Sequence, residues 1–260
     1  MNLQVQAFEP AAGSVPAAIS IRNLSKSFAS SKTVFSGINI DIVTGSLVAL
    51  IGANGAGKST LLRCIPRLIE PDGGDVEVQG QRVSADARNL RRIRSKIGFV
   101  FQKHNLVGRL SSLTNVIHGA QGRGYGIAAW SQSFASAAIR TQALDCLGRV
   151  GLAQAAGQRA DSLSGGQSQR VAIARALMQQ PEIVLADEPA ASLDPQAGEE
   201  VMQLFVTLMR EEAKTVVFTS HNLIHALQFS DRIIAIAGGK IVLDAPSRSL
   251  GESELRGLYG

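Results

Sequence analysis

A chain of 260 residues, 45% of them hydrophobic, is long enough to bury one substantial core, the size of a single α/β domain carrying an inserted subdomain. Its 26 Lys and Arg against 21 Asp and Glu give a net charge of +5, a balance that suits nucleic acid, an anionic membrane surface or a phosphate-rich ligand without choosing among them. The longest apolar stretches, Leu47 to Ala53 and Ile233 to Ala237, fall far short of the about 20 residues that span a bilayer, and two cysteines, Cys64 and Cys146, are too few for a disulfide framework or a zinc site.

Residues 1–17 read as a flexible tail of Pro, Ala and Gly character. Glu9 stands where a secretory signal would be basic, so the chain is expected in the cytoplasm. Apolar and β-branched runs at Ile19 to Leu24, Ile38 to Ile42 and Leu47 to Ile51 predict strands. The third of these runs directly into Gly52-Ala53-Asn54-Gly55-Ala56-Gly57-Lys58-Ser59-Thr60, and a helical pattern follows from Thr60 to Ile69. Strand, Gly-rich loop with a terminal Lys-Ser, and helix form the setting in which a phosphate loop works. Glycines 52, 55 and 57 let main-chain N–H groups curl around a polyphosphate, the helix start adds partial positive charge, Lys58 reaches the β and γ phosphates, and the Ser59 hydroxyl ligates Mg²⁺. A Gly-rich turn without a ligand is the competing reading, and the flanking strand and helix weigh against it. Pro66 interrupts the pattern Leu61 to Leu68 and predicts a kink or a stop near Ile65.

A further strand is expected at Val76 to Val78, so that Ser20 to Gln81 carries closely spaced strands, an antiparallel flank. The basic residues, otherwise dispersed, gather in the short run Arg88, Arg91, Arg92, Arg94 and Lys96, which reads as a solvated face. After a strand at Ile97 to Phe101, Lys103 to Gln158 shows helix and loop without a clear strand, including a helix at Ala135 to Val150. Glycines 119, 122, 124 and 126 mark Gly119 to Ser133 as a flexible connection. Both cysteines fall in helical patterns and read as packing residues.

Leu163-Ser164-Gly165-Gly166-Gln167 precedes a helix at Gln169 to Met178, a second Gly-rich helix start and anion site that lacks a Lys and a metal ligand. The strand Ile183 to Ala186 ends in Asp187 and Glu188. Alone, such a pair is an ordinary turn; downstream of a phosphate loop it reads as a Mg²⁺ ligand, Asp187, beside a general base, Glu188. A helix at Gln196 to Arg210, a strand at Val216 to Thr219, a helix at Leu223 to Phe229 and a strand at Ile233 to Ala237 complete an alternation that implies a layered sheet with helices on its faces. His221 and His225 are spaced as a metal pair would be, but no other ligands accompany them.

The string Leu163 to Gln167, in its order after the phosphate loop and just before the acidic strand, resembles the signature of ABC-cassette ATPases, and the resemblance spans Ala18 to Gly260. It implies an α/β P-loop cassette with a mixed, mainly parallel sheet, an antiparallel flank and a helical subdomain inserted at about 103–170 within a domain of residues 18–260. It implies ATP and Mg²⁺ as ligands, and a homodimer in which Ser164, Gly165, Gly166 and Gln167 close over the ATP held by the opposing subunit. Gln102 resembles the family glutamine that senses Mg²⁺ and the attacking water. Asp194, in Ser192-Leu193-Asp194, matches the loop that crosses the dimer interface, although by itself it would be a helix cap before Pro195. His221 matches the switch histidine on the γ-phosphate. Phe28 matches the aromatic that stacks on adenine, where Tyr is usual, and could equally be a core residue. Ser168 departs from the larger polar or basic residue common at its position.

Within the family the likeness is to the ATPases of phosphonate importers. It is carried by Phe101 to Leu110, Ala186 before the acidic pair, Glu188 to Asp194 and the terminal Leu258-Tyr259-Gly260, while Thr219-Ser220-His221-Asn222 resembles the general cassette pattern. This implies a peripheral subunit on the cytoplasmic face of the inner membrane, partnered by permease subunits and indirectly by a solute-binding protein, and not by nucleic acid. A permease helix would dock between the segment after Gln102 and the helical subdomain. The alternatives are uptake of another small solute such as phosphite, a phosphate ester or an amino acid, a non-transport ATPase accessory to phosphonate degradation, or a cassette acting on DNA or the ribosome. The last usually carries paired cassettes or a long coiled-coil insertion, and this sequence shows neither.

Overall fold

The protein is described here by a computed structural model, which covers residues 16–28 and 32–257. The expected tail up to residue 15 and the terminal Leu258-Tyr259-Gly260 likeness lie outside the described residues. Contacts divide the chain into two compact units, Met1–Ile93 with Ala213–Gly260, and Arg94–Glu212.

The first unit opens with β1 (Ala17–Phe28) and β2 (Lys32–Val43), paired antiparallel from Ala17↔Val43 to Phe28↔Lys32. Ile19, Ile21 and Leu24 are buried while Arg22 and Asn23 face out, the alternation of a half-buried strand, and the left-handed Asn23 (φ 48) absorbs a register shift between Ile21 and Leu24. Both strands outrun the apolar cores that mark them in the sequence, because their polar ends are held by main-chain pairing rather than by side-chain burial. β3 (Leu47–Ile51) is buried at every position, as a strand covered on both faces must be. After it α1 (Lys58–Cys64) stops with Ile65 as its C-cap, where Pro66 removes the next donor, and Arg67, left-handed at φ 52, returns its N–H to the Cys64 carbonyl at 3.0 Å. β4 (Gly73–Val78) pairs with β1, and the two-residue β5 (Gln81–Arg82) pairs with β4, giving an antiparallel sheet in the order β2-β1-β4-β5. The basic run forms most of α2 (Ala87–Lys96), a helix whose sequence lacks the apolar face that announces one: Ile93 is its only buried residue.

The second unit contains β6 (Ile97–Val100), then α3 (Ser112–Ile117), α4 (Ala137–Arg149), α5 (Gly165–Met178), β7 (Ile183–Ala186) and α6 (Pro195–Glu211). β6 and β7 run parallel in the register Ile97↔Ile183 to Val100↔Ala186. Helices α3, α4 and α5 pack on one another, and Val116, Ile117, Ile139, Ala143, Leu147, Val171 and Ala174 on them are all buried. Gly119 to Ser133 is not the loose connection that its glycines suggest. It forms short 3₁₀ turns over His118–Arg123 and Gly126–Ala129, and Gly119 is buried so closely that a Cβ there would lie 2.2 Å from the Arg175 carbonyl. Here glycine serves a close approach rather than mobility.

The chain returns to the first unit as β8 (Thr215–Ser220), α7 (Leu223–Phe229), β9 (Arg232–Ala237), β10 (Lys240–Pro246) and the short α8 (Glu252–Arg256). β3 lies between β8 and β9 and is parallel to both, and β10 closes an antiparallel hairpin on β9. Arg232 and Asp244 face each other across that hairpin as a buried bidentate pair, Nε to Oδ1 at 2.5 Å and Nη2 to Oδ2 at 2.6 Å.

Candidate functional site

In the first unit the C-terminal end of β3 turns directly into the Gly-rich loop. Gly52 adopts φ 151, and a Cβ there would sit 2.3 Å from the Ile236 carbonyl oxygen; Gly57 adopts φ 99, and a Cβ would meet Val34 Cγ1 at 2.8 Å. Neither position admits another residue without moving backbone or core, so the loop is held as a bare main-chain cradle. Asn54 and Gly55 are on its exposed rim, and Ser59 and Thr60 are half-buried at the helix start. Lys58 is only 4% exposed, and its ammonium donates to the Gly52 carbonyl at 2.7 Å and the Ala53 carbonyl at 3.2 Å. A cation buried so deeply at a cradle of N–H groups fits a polyphosphate.

His221 belongs to the same region. Ile51 and Ser220 are partners in the β3–β8 ladder, so the residues that follow them, Gly52 and His221, leave the same edge of the sheet. His221 is exposed, while Ser220 and Asn222 lock the turn around it: the Asn222 N–H donates to Ser220 Oγ at 3.0 Å, and Asn222 Oδ1 caps α7. His225 makes an edge-to-face contact with Phe229 at 5.7 Å between ring centroids, and among the described residues no cluster of three or more His, Cys, Asp or Glu is arranged for a metal ion. Phe28 is 49% exposed and is not a core residue, and the Lys26 ammonium lies 5.4 Å from its ring centroid. Cys64 is buried within α1, and burial pushes its thiol up to about 12, so it is no nucleophile at neutral pH.

In the second unit β7 delivers the acidic pair. Asp187 is fully buried, and its N–H donates to the Val100 carbonyl at 2.8 Å, extending the β6–β7 ladder one step past the strand. Glu188 adopts φ 47, a left-handed conformation that is uncommon for a residue other than glycine, so the chain leaves the strand direction there. Gln102, just beyond the end of β6, donates from Nε2 to Glu188 Oε2 at 3.3 Å. The structure therefore joins Gln102 to the acidic pair, 86 residues away in sequence.

The signature loop and the Ser192 to Asp194 turn also meet. They line one cleft of about 490 Å³, with Arg170 and Glu200 at 3.3 Å along its wall. Ser164 starts α5 with a reciprocal capping box: its Oγ accepts from the Gln167 N–H at 3.2 Å, and Gln167 Oε1 accepts from the Ser164 N–H at 3.0 Å. The helix thus begins at Gly165 and not at Gln169, and the Ser-x-x-Gln spacing was the sequence signal for it. Asp194 is a genuine cap, its Oδ1 accepting from the Ala197 N–H at 3.0 Å, with Pro195 in the first turn of α6. Sequence reading also passed over Arg175, whose guanidinium donates to the carbonyls of His104 and Asn105; nothing local in the sequence marks that contact.

Comparison with known proteins gives these features a context. The profile described as ABC transporter matches residues 35–191. A phosphonates import ATP-binding protein of Pseudomonas aeruginosa is 47% identical over 252 residues, 94% of this chain and 89% of that protein, and one from Stutzerimonas stutzeri is 47% identical over 94% of this chain and 90% of its own length. Among solved structures, cbiO1 of Clostridium perfringens, part of the ABC transporter complex cbiONQ, aligns with a TM-score of 0.79 at 26% identity over 92% of both chains. The dimeric ATP-binding cassette MJ0796, in a post-hydrolysis state with ADP and Pi, aligns with a TM-score of 0.76 at 35% identity over 89% of this chain and 100% of its own. With a family profile over more than half of its length and relatives of near-half identity over almost all of it, the chain belongs to the ABC transporter family.

Proposed function

We propose that this chain is the ATP-binding and ATP-hydrolysing subunit of an ABC importer for phosphonate, working as a homodimer against permease subunits at the cytoplasmic face of the inner membrane. The observation that carries the substrate is the 47% identity, over 94% of the chain, to phosphonates import ATP-binding proteins. No helix of the described residues is long and apolar enough to cross a membrane, which is consistent with a peripheral subunit beside separate permeases. A solute-binding protein would choose the cargo, so no residue of this chain need touch it.

The reading assigns roles residue by residue. Main-chain N–H groups of Gly52 to Thr60 hold the phosphates, and Lys58 turns from its two carbonyl partners toward the terminal phosphates. Mg²⁺, when bound with the nucleotide, neutralises developing phosphate charge. The Ser59 hydroxyl, the Asp187 carboxylate and the Gln102 carboxamide oxygen have the hard oxygen chemistry that would hold it. Glu188 accepts the proton of the attacking water, and the Gln102 carboxamide now bonded to Glu188 orients that water. His221 donates to the γ-phosphate, and Phe28 offers an exposed ring face for the adenine. Ser164, Gly165, Gly166 and Gln167, with Asp194 across the same cleft, receive the nucleotide held by the other subunit.

Growth and uptake of a deletion strain on phosphonate, phosphite or phosphate as sole phosphorus source tests this reading. Loss of growth on phosphonate, restored by the wild-type chain, is expected. Normal growth on phosphonate with loss on phosphate alone overturns the substrate.

A further inference from the structure

The loop that follows Gln102 turns through two successive left-handed residues. His104 and Asn105 are both left-handed, at φ 52 and φ 50, two successive residues in a conformation that side chains other than glycine rarely adopt. The His104 N–H donates to the Phe101 carbonyl at 3.1 Å, and the Asn105 N–H donates to the Lys103 carbonyl, so the main chain doubles back within four residues of Gln102. Such a turn persists where surrounding groups over-determine it. Two side chains do so. Asn115, fully buried on α3, exchanges hydrogen bonds with Val107, accepting from its N–H at 2.8 Å and donating to its carbonyl at 3.2 Å. Arg175, on α5, donates from Nη1 to the Asn105 carbonyl at 2.6 Å and from Nη2 to the His104 carbonyl at 2.8 Å.

Among the described residues no carboxylate forms an ion pair with Arg175, and burial holds its guanidinium below the usual range without discharging it. Two main-chain carbonyls turned to the same side meet the planar fork of an arginine, a match that lysine cannot reproduce. Arg175 sits about 15 Å along the axis of α5 from the residues that begin that helix, Gly165 and Gly166 of the signature. The same rigid helix therefore carries the signature loop at one end and the loop after Gln102 near the other.

We propose that Arg175 is the positioning residue that couples Gln102 to the signature: its guanidinium fastens the turn His104–Asn105 to α5, so that the Gln102 carboxamide and Ser164 to Gln167 move as one body. The catalytic consequence rests on the role assigned to Gln102, whereas the fastening itself does not. Arg175 touches no reacting atom, and its effect passes through the loop.

The test uses the full chain with Arg175→Ala and Arg175→Lys. Three quantities are read: amide hydrogen exchange at residues 103–107, ATPase kcat and KM, and the melting temperature. Faster exchange confined to residues 103–107 is expected in Arg175→Ala. With it, kcat falls about tenfold at unchanged KM for ATP, the scale of about one net hydrogen bond, and Arg175→Lys recovers part of both. Wild-type exchange at 103–107 in both variants overturns the proposal, as does a parallel fall in kcat and folded fraction that lysine does not relieve. If Arg175→Ala fails to fold, Arg175→Lys carries the same two readouts, since it keeps the charge and loses the fork. Gln102→Ala separates the two readings: wild-type kcat in that variant removes the role of Gln102, and the exchange result alone then decides the clamp.

Discussion

At the scale of single residues the acidic strand end concentrates the chemistry. Glu188 is set at φ 47 by its turn and is met by the Gln102 amide at 3.3 Å, so a neutral isostere at this position keeps the shape and the hydrogen bond while removing the carboxylate proposed as the base. Glu188→Gln is expected to bind ATP as the wild type does and to lower turnover by about 10²–10⁴-fold, the usual contribution of a general base. Filter binding and a phosphate-release assay read the two quantities, and size-exclusion chromatography with ATP should show more dimer as the carboxylate charge is lost. Turnover at the wild-type rate would falsify the assignment of the base. The buried Lys58 illustrates a different use of charge: its ammonium donates to the Gly52 and Ala53 carbonyls, which help to solvate a cation that is only 4% exposed.

At the scale of elements, the β9–β10 hairpin shows where stability is concentrated. Arg232 and Asp244 are 7% and 9% exposed and form two charge-assisted hydrogen bonds, while Arg232 Nη1 donates to the Asp41 carbonyl on β2 at 2.7 Å. Removing one partner strands a buried charge. Asp244→Ala should cost about 3–5 kcal/mol, measurable by urea denaturation, whereas the exposed Arg256–Glu252 pair at i, i+4 should contribute only about 0.3–0.5 kcal/mol. A loss below about 1 kcal/mol in Asp244→Ala would show that the bridge is solvated in solution. Elements with a strong apolar pattern were legible beforehand: β3, β7 and α7 have the bounds their sequences announce. α2, β5 and β10 were not. α2 shows a single buried side chain, β5 is two residues long, and β10 is half-buried along most of its length, so none of them has a burial period to read.

At the scale of the whole molecule, acid is expected to destabilise the fold. Burial, and secondarily the Arg175 charge, hold His104 below its ordinary 6.5, so the unfolded chain binds more protons than the folded one as pH falls through that value. Stability present above 6.5 is therefore lost progressively below it. Asp72 adds to the trend at lower pH: hydrogen bonds from Lys26 and from the Ser27 N–H lower its pKa, and the stability they give is lost as the pH falls through that lowered value. Denaturant midpoints should decline between about pH 7.5 and about pH 5.5, and His104→Gln should flatten the upper part of that decline. A variant with the wild-type slope would place the acid sensitivity elsewhere.

The sequence by itself determined the motifs and their order along the chain: a Gly-rich loop ending in Lys-Ser between a buried strand and a helix, a second Gly-rich helix start, an acidic strand end and a histidine after a strand. Each is a local string whose glycines, caps and apolar runs act within a few residues, so a linear reading can find it. Tertiary structure decided which of these meet. The pairing of Ile51 with Ser220 brings His221 to the edge of the phosphate loop, the β6–β7 ladder brings Gln102 to Glu188, and the cleft beside α5 brings Ser164 to Asp194. Those contacts depend on strand register and helix packing between segments far apart in sequence, for which no local residue pattern exists. For the same reason Arg175 was invisible until α5 and the turn at His104 lay side by side.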